Sequence, residues 1–244
     1  IFIYFNQRNL LYHPGENNYL DNKIEFKYKE VWIETEKNIK LKSWFIEKDL
    51  KKLKTILLFH GNAGNLFNRV YKLNELNKLD LNILLFSWRG FSGNKGKPTE
   101  KNLYHDAEEI VKWLNSRGVN NKNIILYGES LGTGVATELG KSNIFGGIIL
   151  ESPFTSIAKA AKIYYPYLPI NLVLKDRYDS IEKIQSITVP ILIMHGKKDN
   201  IVPQKMGLEL FEKANEPKFN YFPENDDHMM EYNDELLKNI ELFI

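Results

Sequence analysis

The pentapeptide Gly128 to Gly132 carries the residue types that best fit covalent chemistry. An apolar, β-prone run over 124–127 ends abruptly in Gly-Glu-Ser-Leu-Gly, and a helix-compatible stretch over 133–141 follows at once. A strand that turns sharply into a helix at Gly-x-Ser-x-Gly exposes the serine hydroxyl as a nucleophile. The alternative is an ordinary glycine-rich turn, so Ser130 is a candidate nucleophile only if the chain supplies a base, an acid and oxyanion donors.

The candidate base is His228. Of the five histidines, His60 and His195 directly end apolar runs, His105 lies within a helical pattern, and His13 lies in an irregular segment near the start. His228 lies in a loop between the last predicted strand and the last predicted helix. A loop at that edge of a sheet can place an imidazole over the nucleophile, where it takes the serine proton and returns it to the leaving group.

The candidate acid is Asp199, which follows an apolar strand and would hold the tautomer of the base. Ser130, Asp199 and His228 then occur in the order nucleophile, acid, base. Asp226 and Asp227 compete by proximity to His228, but we expect them to cap the last helix or to lie in solvent.

Two backbone N–H groups are needed to stabilise the oxyanion. We assign one to Leu131, directly after the nucleophile, and the other to the loop 60–65 after the first predicted parallel strand. Within that loop we predict the N–H of Asn62, with Ala63 as the second candidate. The loop lacks the Lys-Ser/Thr pair of a phosphate-binding P-loop and the glycine spacing of a dinucleotide site.

The elements that must position these residues alternate along the chain. Continuous apolar runs are typical of strands buried on both faces of a parallel sheet; they cover 55–59, 82–86, 123–126, 147–150 and 189–194, with 219–222 as a last strand. Apolar stripes at helical spacing lie between them, at 70–76, 103–114, 210–214 and 236–243, and Thr99 is the predicted N-cap of the second. The alternation predicts a doubly wound, mostly parallel α/β sheet, preceded by an antiparallel hairpin of 31–35 with 41–46.

The segment 154–186 is longer than a simple crossover. It is aromatic and aliphatic, and its prolines prevent one long helix. Since it lies at the carboxyl edge of the predicted sheet, it is a candidate cap over a substrate pocket, with Tyr164, Tyr165 and Leu168 as predicted substrate contacts. The alternative is a crossover helix with an ordinary packed loop.

Composition excludes several classes of function. The net charge of the 244 residues is +2, which gives no basic excess for nucleic acid. There is no cysteine, so no disulfide or thiolate metal site can form. No histidine cluster at metal-ligand spacing is evident, and we expect neither a metal nor a cofactor.

The chain opens on an apolar pentad, Ile1 to Phe5, without a methionine. Two interpretations stay open: the end of a membrane anchor that continues upstream, or a short N-terminal strand or packed arm. We therefore predict a lead-in over 1–29 and a catalytic domain over 30–244. On the first interpretation the protein is membrane-anchored, and on the second it is cytoplasmic.

Five motifs in order carry a family resemblance: His60-Gly61-Asn62-Ala63-Gly64-Asn65, Trp88-Arg89-Gly90-Phe91-Ser92-Gly93, Gly128-Glu129-Ser130-Leu131-Gly132, Glu151-Ser152-Pro153-Phe154 and His195-Gly196-Lys197-Lys198-Asp199. Together they resemble the α/β-hydrolase superfamily, and more narrowly its small serine hydrolases of the α/β-hydrolase-domain type. That branch includes membrane-anchored members and protein depalmitoylases. The resemblance implies Ser130, Asp199 and His228 as the catalytic triad. The departure is Trp88, where tyrosine is common before Arg-Gly.

The function predicted first is hydrolysis of carboxylic esters or thioesters with short or medium acyl groups, through an acyl-enzyme on Ser130. The second is a serine peptidase for short peptides, in which Glu129 or Arg89 would hold a peptide terminus. The third is a catalytically silent hydrolase fold that binds a ligand. The Lys-, Asn- and Ile-rich composition predicts a bacterial source. The natural substrate and the oligomeric state are not encoded in any motif that we recognise.

Overall fold

The computed structural model describes residues 2–15 and 23–244. The strands of this part of the chain are β1 His13–Pro14, β2 Lys29–Glu36, β3 Ile39–Ile46, β4 Thr55–Phe59, β5 Ala63–Gly64, β6 Asn82–Phe86, β7 Ile124–Glu129, β8 Gly147–Glu151, β9 Ile191–Met194 and β10 Lys218–Tyr221. The α-helices are α1 Phe2–Leu11, α2 Val70–Leu76, α3 Glu100–Ser116, α4 Leu131–Gly140, α5 Ile157–Tyr164, α6 Ile170–Val173, α7 Ser180–Lys183, α8 Gln204–Lys213 and α9 Asp234–Phe243. Short 3₁₀ helices cover Leu66–Arg69, Asn121–Asn123 and Ile184–Ser186.

The main sheet has eight strands in the order β10-β9-β8-β7-β4-β6-β3-β2. The strands from β10 to β6 run parallel, whereas β3 and β2 form an antiparallel hairpin whose β3 pairs antiparallel with β6. This arrangement confirms the predicted fold class and the predicted hairpin. Thr99 is the N-cap of α3, as predicted, and its side chain accepts the N–H of Asn102.

The sheet is covered on both faces, which explains its continuous apolar strands. One core layer lies between the sheet and α3, α4 and α8, and includes Leu103, Val135 and Leu210. The other layer lies between the sheet and α2 and α9, and includes Leu73 and Ile240. Because the central strands are parallel, the loops that follow them emerge together at the carboxyl edge of the sheet.

The order of the central strands sets the position of the site. From β4 the chain passes first to β6 on one side and then to β7 on the other, so β4 lies at a topological switch point. Phe59 at the end of β4 is paired with Gly128 in β7. The loop after Phe59 and the turn at Ser130 therefore leave the sheet side by side.

The first described residues of the chain form a helix. The short N-terminal strand that the sequence analysis offered as one possibility is therefore wrong. Residues Phe2–Leu11 form α1, whose side chains Gln7 and Arg8 attach it to distant parts of the chain at Val173 and Asp176. Ile1 and residues 16–22 of the predicted lead-in lie outside the described residues. In the described ranges no helix combines the length and apolarity needed to cross a membrane. Membrane association and the boundary at residue 29 stay predictions.

Candidate active site

Ser130 occupies a strained turn between β7 and α4. Its backbone has φ 48° and ψ −113°, a conformation that costs a non-glycine residue about 1–3 kcal/mol. The turn also needs Gly132, because a Cβ there would lie 1.9 Å from the carbonyl oxygen of Phe59. The surrounding sheet therefore holds the serine in a backbone geometry that a free peptide would not keep.

The structure brings the three predicted triad residues together. The Oγ of Ser130 lies 3.0 Å from Nε2 of His228, and Nδ1 of His228 lies 2.7 Å from Oδ2 of Asp199. Asp199 follows β9 and His228 follows β10, so three different loops at one edge of the sheet supply the three groups. These distances permit proton transfer from the serine to the imidazole, with the carboxylate orienting the ring.

Asp199 has a second histidine partner that sequence reasoning missed. Its Oδ2 also accepts a hydrogen bond from Nε2 of buried His195 at 3.0 Å, while its Oδ1 accepts the N–H groups of Ile201 and Val202 at 2.8 Å each. Burial opposes ionisation of this carboxyl, but the hydrogen bonds from His195 and His228 outweigh it and hold the pKa of Asp199 well below its usual value. Asp199 is thus a fixed negative charge beneath His228.

The two competing carboxylates are engaged locally. Oδ2 of Asp226 accepts the N–H of Glu231 at 3.0 Å, and Oδ1 of Asp227 accepts the N–H of Met229 at 2.9 Å. Asp227 is exposed, as expected. The expectation that these residues cap the last helix is wrong, because Asn233 is the N-cap of α9 and lies closer to its first turn.

Both predicted oxyanion residues line the same cavity as Ser130. Leu131 is the first residue of α4, and N–H groups of a first helical turn have no partner within the helix. Asn62 lies on the loop beside it. Ala63, the second candidate, is exposed, pairs with His13 in a two-stranded ladder and is not among the residues that line this cavity.

The cavity at Ser130 has a volume of about 230 Å³ and is mainly apolar. Tyr164 and Tyr165 line it, together with Leu10, Leu11, Phe154 and Ile157, and their contact with substrate stays a prediction. Leu168 instead lines an adjoining apolar cavity of about 100 Å³. Leu11, Ala161 and Tyr165 are among the residues common to both cavities, which therefore form neighbouring compartments between α1 and α5.

A buried ion network lies beneath the nucleophile, and no sequence motif indicated it. Lys72 donates to Glu129 at 2.6 Å and to Glu151 at 2.8 Å, and Arg69 also pairs with Glu129. Burial disfavours the charge on Glu129, but Arg69 and Lys72 overcome this and keep its pKa well below the usual value. The only sequence signal was a pair of basic residues, Arg69 and Lys72, beside the apolar stripe of a predicted helix.

This network also holds the oxyanion loop from within. Oε1 of Glu129 accepts the N–H of Gly61 at 3.1 Å, and Arg69 donates to the carbonyl of Ala63 at 2.7 Å. The residues on both sides of Asn62 are therefore fixed to the residue that precedes the nucleophile. The two halves of the proposed oxyanion hole share one rigid support.

Arg89, the other charge considered for holding a peptide terminus, is also buried in ion pairs. It donates to Asp106 at 2.8 and 2.6 Å and to Glu36 at 3.0 Å. Neither Arg89 nor Glu129 lines the cavity at Ser130. In the described part of the chain, no group of three or more histidine, aspartate or glutamate residues is arranged to hold a metal ion.

His60 is buried and neutral, which makes folding sensitive to acid. Its Nε2 accepts the N–H of Trp88 at 3.3 Å, so its proton is on Nδ1, which donates to the carbonyl of Gly61 at 2.8 Å. Burial, with a smaller effect from the charge of Arg69, lowers the pKa of His60 to about 3. The unfolded chain binds this proton near pH 6.5, so stability is complete above that pH and is lost as the pH falls toward 3.

We expect the free energy of unfolding to fall by up to about 1.4 kcal/mol per pH unit on this account between pH 6.5 and 3. Urea unfolding at a series of pH values measures the slope. The variant His60→Gln has no titrating group at this position. Its unfolding should take up about one proton fewer, and the slope of its unfolding free energy against pH should be smaller in proportion. Equal slopes in the two proteins would contradict the assignment, whatever their absolute stabilities.

Comparison with known sequences identifies relatives of this chain. Residues 54–169 match the model of the alpha/beta hydrolase fold family. An uncharacterised Mycobacterium tuberculosis protein, Rv2307c, is 35% identical over 221 residues, which cover 89% of this chain and 79% of that protein. Human alpha/beta hydrolase domain-containing protein 17B is 34% identical over 165 residues, covering 67% and 56% of the two chains. The lysophosphatidylserine lipase ABHD12 of Danio rerio is 32% identical over 195 residues, covering 72% and 51%.

Among solved structures, the Pyrococcus furiosus esterase Pf2001 superimposes with a TM-score of 0.74 and covers 96% of this chain and 97% of its own, at 22% identity. That identity supports the fold alone. The chain belongs to the α/β-hydrolase superfamily and is of the α/β-hydrolase-domain type, as the motifs predicted. Membership of this superfamily supports a hydrolase, and the relatives compared above include proteins named an esterase and a lipase.

Proposed function

We propose that the protein is a serine hydrolase that cleaves carboxylic ester or thioester bonds of apolar acyl groups through an acyl-enzyme. The observation that carries the proposal is the hydrogen-bonded series from Ser130 through His228 to Asp199, open to an apolar cavity. A nucleophile, a base and an orienting acid within hydrogen-bond reach are the minimum that acyl transfer requires.

In the first half of the reaction, Oγ of Ser130 attacks the acyl carbon while Nε2 of His228 takes the hydroxyl proton. The carbonyl oxygen becomes an oxyanion, which the N–H groups of Leu131 and Asn62 stabilise. His228 then returns the proton to the leaving alcohol or thiol, and the acyl group stays on Ser130. Asp199 remains ionised and stabilises the positive charge on the imidazole.

In the second half, water replaces the leaving group. His228 takes a proton from the water, whose oxygen attacks the acyl carbon, and a second oxyanion forms at the same N–H groups. Its collapse releases the carboxylic acid and returns the proton to Ser130. No group beyond those already described is needed to balance either half.

The shape of the site supports an apolar acyl group as the part of the substrate that is held. The cavity at Ser130 is lined by aliphatic and aromatic side chains, and the adjoining compartment extends it toward Leu168 and Leu174. No charged side chain is among the described residues that line either cavity. A peptidase of this kind needs a charge to hold a peptide terminus, so this composition favours the ester or thioester over the peptide.

The acyl chain length tests this reading of the two compartments. We expect p-nitrophenyl octanoate to be cleaved with a higher kcat/KM than the butyrate or the palmitate. In Ala161→Phe the added ring fills the boundary between the compartments, so the preference should shift toward butyrate by about tenfold. The neighbouring exposed position offers a control, Lys162→Phe, which should keep the wild-type preference.

An unchanged preference in Ala161→Phe would place the acyl group elsewhere. The corresponding octanoyl thioester of N-acetylcysteamine distinguishes ester from thioester preference, and aminoacyl-naphthylamides test the peptidase alternative. Absence of turnover on all of these by folded protein would contradict the proposed function and revive the silent binding fold.

A further inference from the structure

The predicted oxyanion residue Asn62 is held by the N-terminal segment of the chain. The backbone N–H of His13 donates to the carbonyl oxygen of Asn62 at 2.8 Å. The side-chain amide of Asn62 donates back, through Nδ2, to the carbonyl oxygen of Leu11 at 2.8 Å. These two bonds link one residue of the oxyanion loop to the end of α1 from both its main chain and its side chain.

A short ladder continues this contact. His13 and Pro14 in β1 pair in parallel with Ala63 and Gly64 in β5. The approach is close at its end, since a Cβ on Gly15 would lie 3.1 Å from Cα of Gly64. The N-terminal segment thus lies along the outer side of the loop, opposite the ion pair of Glu129 and Arg69 that holds its inner side.

The N-terminal segment is itself fastened to the far side of the cavity. Arg8 donates to the buried carboxylate of Asp176 at 2.8 and 3.2 Å, and the hydroxyl of Tyr12 donates to the same group at 3.2 Å. Gln7 donates to the carbonyl of Val173 at 3.0 Å and accepts the N–H of Lys175 at 2.7 Å. Residues 7–13 therefore connect the chain after α6 with the oxyanion loop.

The amide of Asn62 is engaged by Leu11, so its side chain is directed to the N-terminal segment. The ion network holds Gly61 and Ala63 but makes no bond to Asn62 itself. The N–H of Asn62 belongs to the peptide group that begins with the carbonyl of Gly61, and that carbonyl accepts a hydrogen bond from Nδ1 of His60 at 2.8 Å. The bonds with His13 and Leu11 act at the carbonyl and the side chain of Asn62, so they restrain rotation of the backbone about its Cα. Without this restraint, that rotation would turn the N–H of Asn62 away from the oxyanion.

We infer that the N-terminal segment, residues 7–13, is a positioning element of the active site that fixes the oxyanion-hole residue Asn62. This inference rests on the proposed function. The segment touches no reacting atom; it acts through Asn62, while Leu10 and Leu11 form part of the cavity wall. Residues 7–13, which the sequence analysis placed in a lead-in before the catalytic domain, are then required for turnover.

The sharpest test removes a single backbone N–H. His13→Pro lacks the N–H that binds the carbonyl of Asn62, whereas His13→Ala keeps it and serves as the reference. Losing one oxyanion-hole donor outright typically costs about 10²–10³ in turnover, so we expect kcat for p-nitrophenyl octanoate to be about 10–100-fold lower in His13→Pro than in His13→Ala. KM should change by less than about threefold, because the cavity wall is unchanged.

A transition-state analogue separates positioning from simple loss of stability. An octyl trifluoromethyl ketone adds to the serine and places its oxyanion where the substrate's would be. Its inhibition constant should rise in His13→Pro by the same factor by which kcat/KM falls. A purely structural role would lower the melting temperature but leave the inhibition constant of the folded enzyme unchanged.

Asn62→Ala and Asp176→Asn test the two ends of the connection without a new proline. The first removes the bond to Leu11, and the second weakens the attachment of Arg8 and Tyr12 without changing the loop. Both variants should lower kcat while changing KM much less. The inhibition constant of the trifluoromethyl ketone should rise as kcat/KM falls. Equal kcat values and inhibition constants in His13→Pro and His13→Ala, or a normal inhibition constant in Asn62→Ala, would overturn the inference. Turnover by the wild-type protein in the same assay shows that the proposed function itself stands.

Discussion

Replacing Ser130 by alanine is expected to lower kcat for p-nitrophenyl octanoate by about 10⁶-fold, the loss seen when the nucleophile of a serine hydrolase is removed. The change deletes one oxygen atom and leaves the backbone strain of the turn, the pair of His228 and Asp199 and the apolar cavity in place. KM or ligand affinity should therefore change little. Turnover and labelling by a fluorophosphonate probe measure the two consequences.

Ser116→Ala is a suitable control, because Ser116 is exposed on α3 and its hydroxyl donates to the carbonyl of Trp113 in the same helix turn. It should label and turn over like the wild type. Labelling that persists in Ser130→Ala would identify another nucleophile. Absence of labelling in the folded wild-type protein would show that the serine is not activated.

Asp199→Asn is expected to lower kcat by about 10⁴-fold, and the hydrogen bonds around the carboxylate give the reason. Oδ1 accepts the N–H groups of Ile201 and Val202, so the oxygen of an asparagine must occupy that position. Its NH₂ group then faces Nδ1 of His228 and Nε2 of His195. To accept this donor, Nδ1 of His228 must lose its proton, and the proton then resides on Nε2.

A protonated Nε2 cannot take the proton of Ser130, so the variant binds substrate but does not activate the nucleophile. KM should stay within a few-fold of wild type, whereas fluorophosphonate labelling slows in step with kcat. The exposed Asp227 provides the matched control, because Asp227→Asn removes the same charge from the His228 loop without touching Asp199. A larger loss in Asp227→Asn than in Asp199→Asn would reverse the assignment of the acid.

The sequence predicted the sheet well, for a physical reason. Strands buried on both faces must be apolar throughout, so β4, β6 and β7 are visible as uninterrupted apolar runs. The alternation of such runs with helical stripes leaves few topologies. The cap segment 154–186 was less predictable, because its prolines and aromatic residues mark where a long helix is impossible but not which short helices replace it.

The opening residues show a second limit of local patterns. An apolar pentad fits a strand, a packed arm or the end of a longer apolar segment equally well. The decision for a helix depends on contacts with distant residues such as Val173 and Asp176, which lie more than 160 positions away in the chain. Sequence spacing near the terminus carries no record of these partners.

The residues of the candidate site show the same difference between local sequence patterns and contacts with distant residues. The sequence alone predicted Ser130, Asp199 and His228, because each is a specific residue type in the turn or loop that follows a recognisable strand. The tertiary structure alone decided the second partner of Asp199, the ion network of Glu129, and the attachment of Asn62 to Leu11 and His13. A covalent nucleophile restricts the residues next to it in the chain and so leaves a local motif. A hydrogen bond or ion pair between segments restricts only a distance in space, and many sequences can satisfy it.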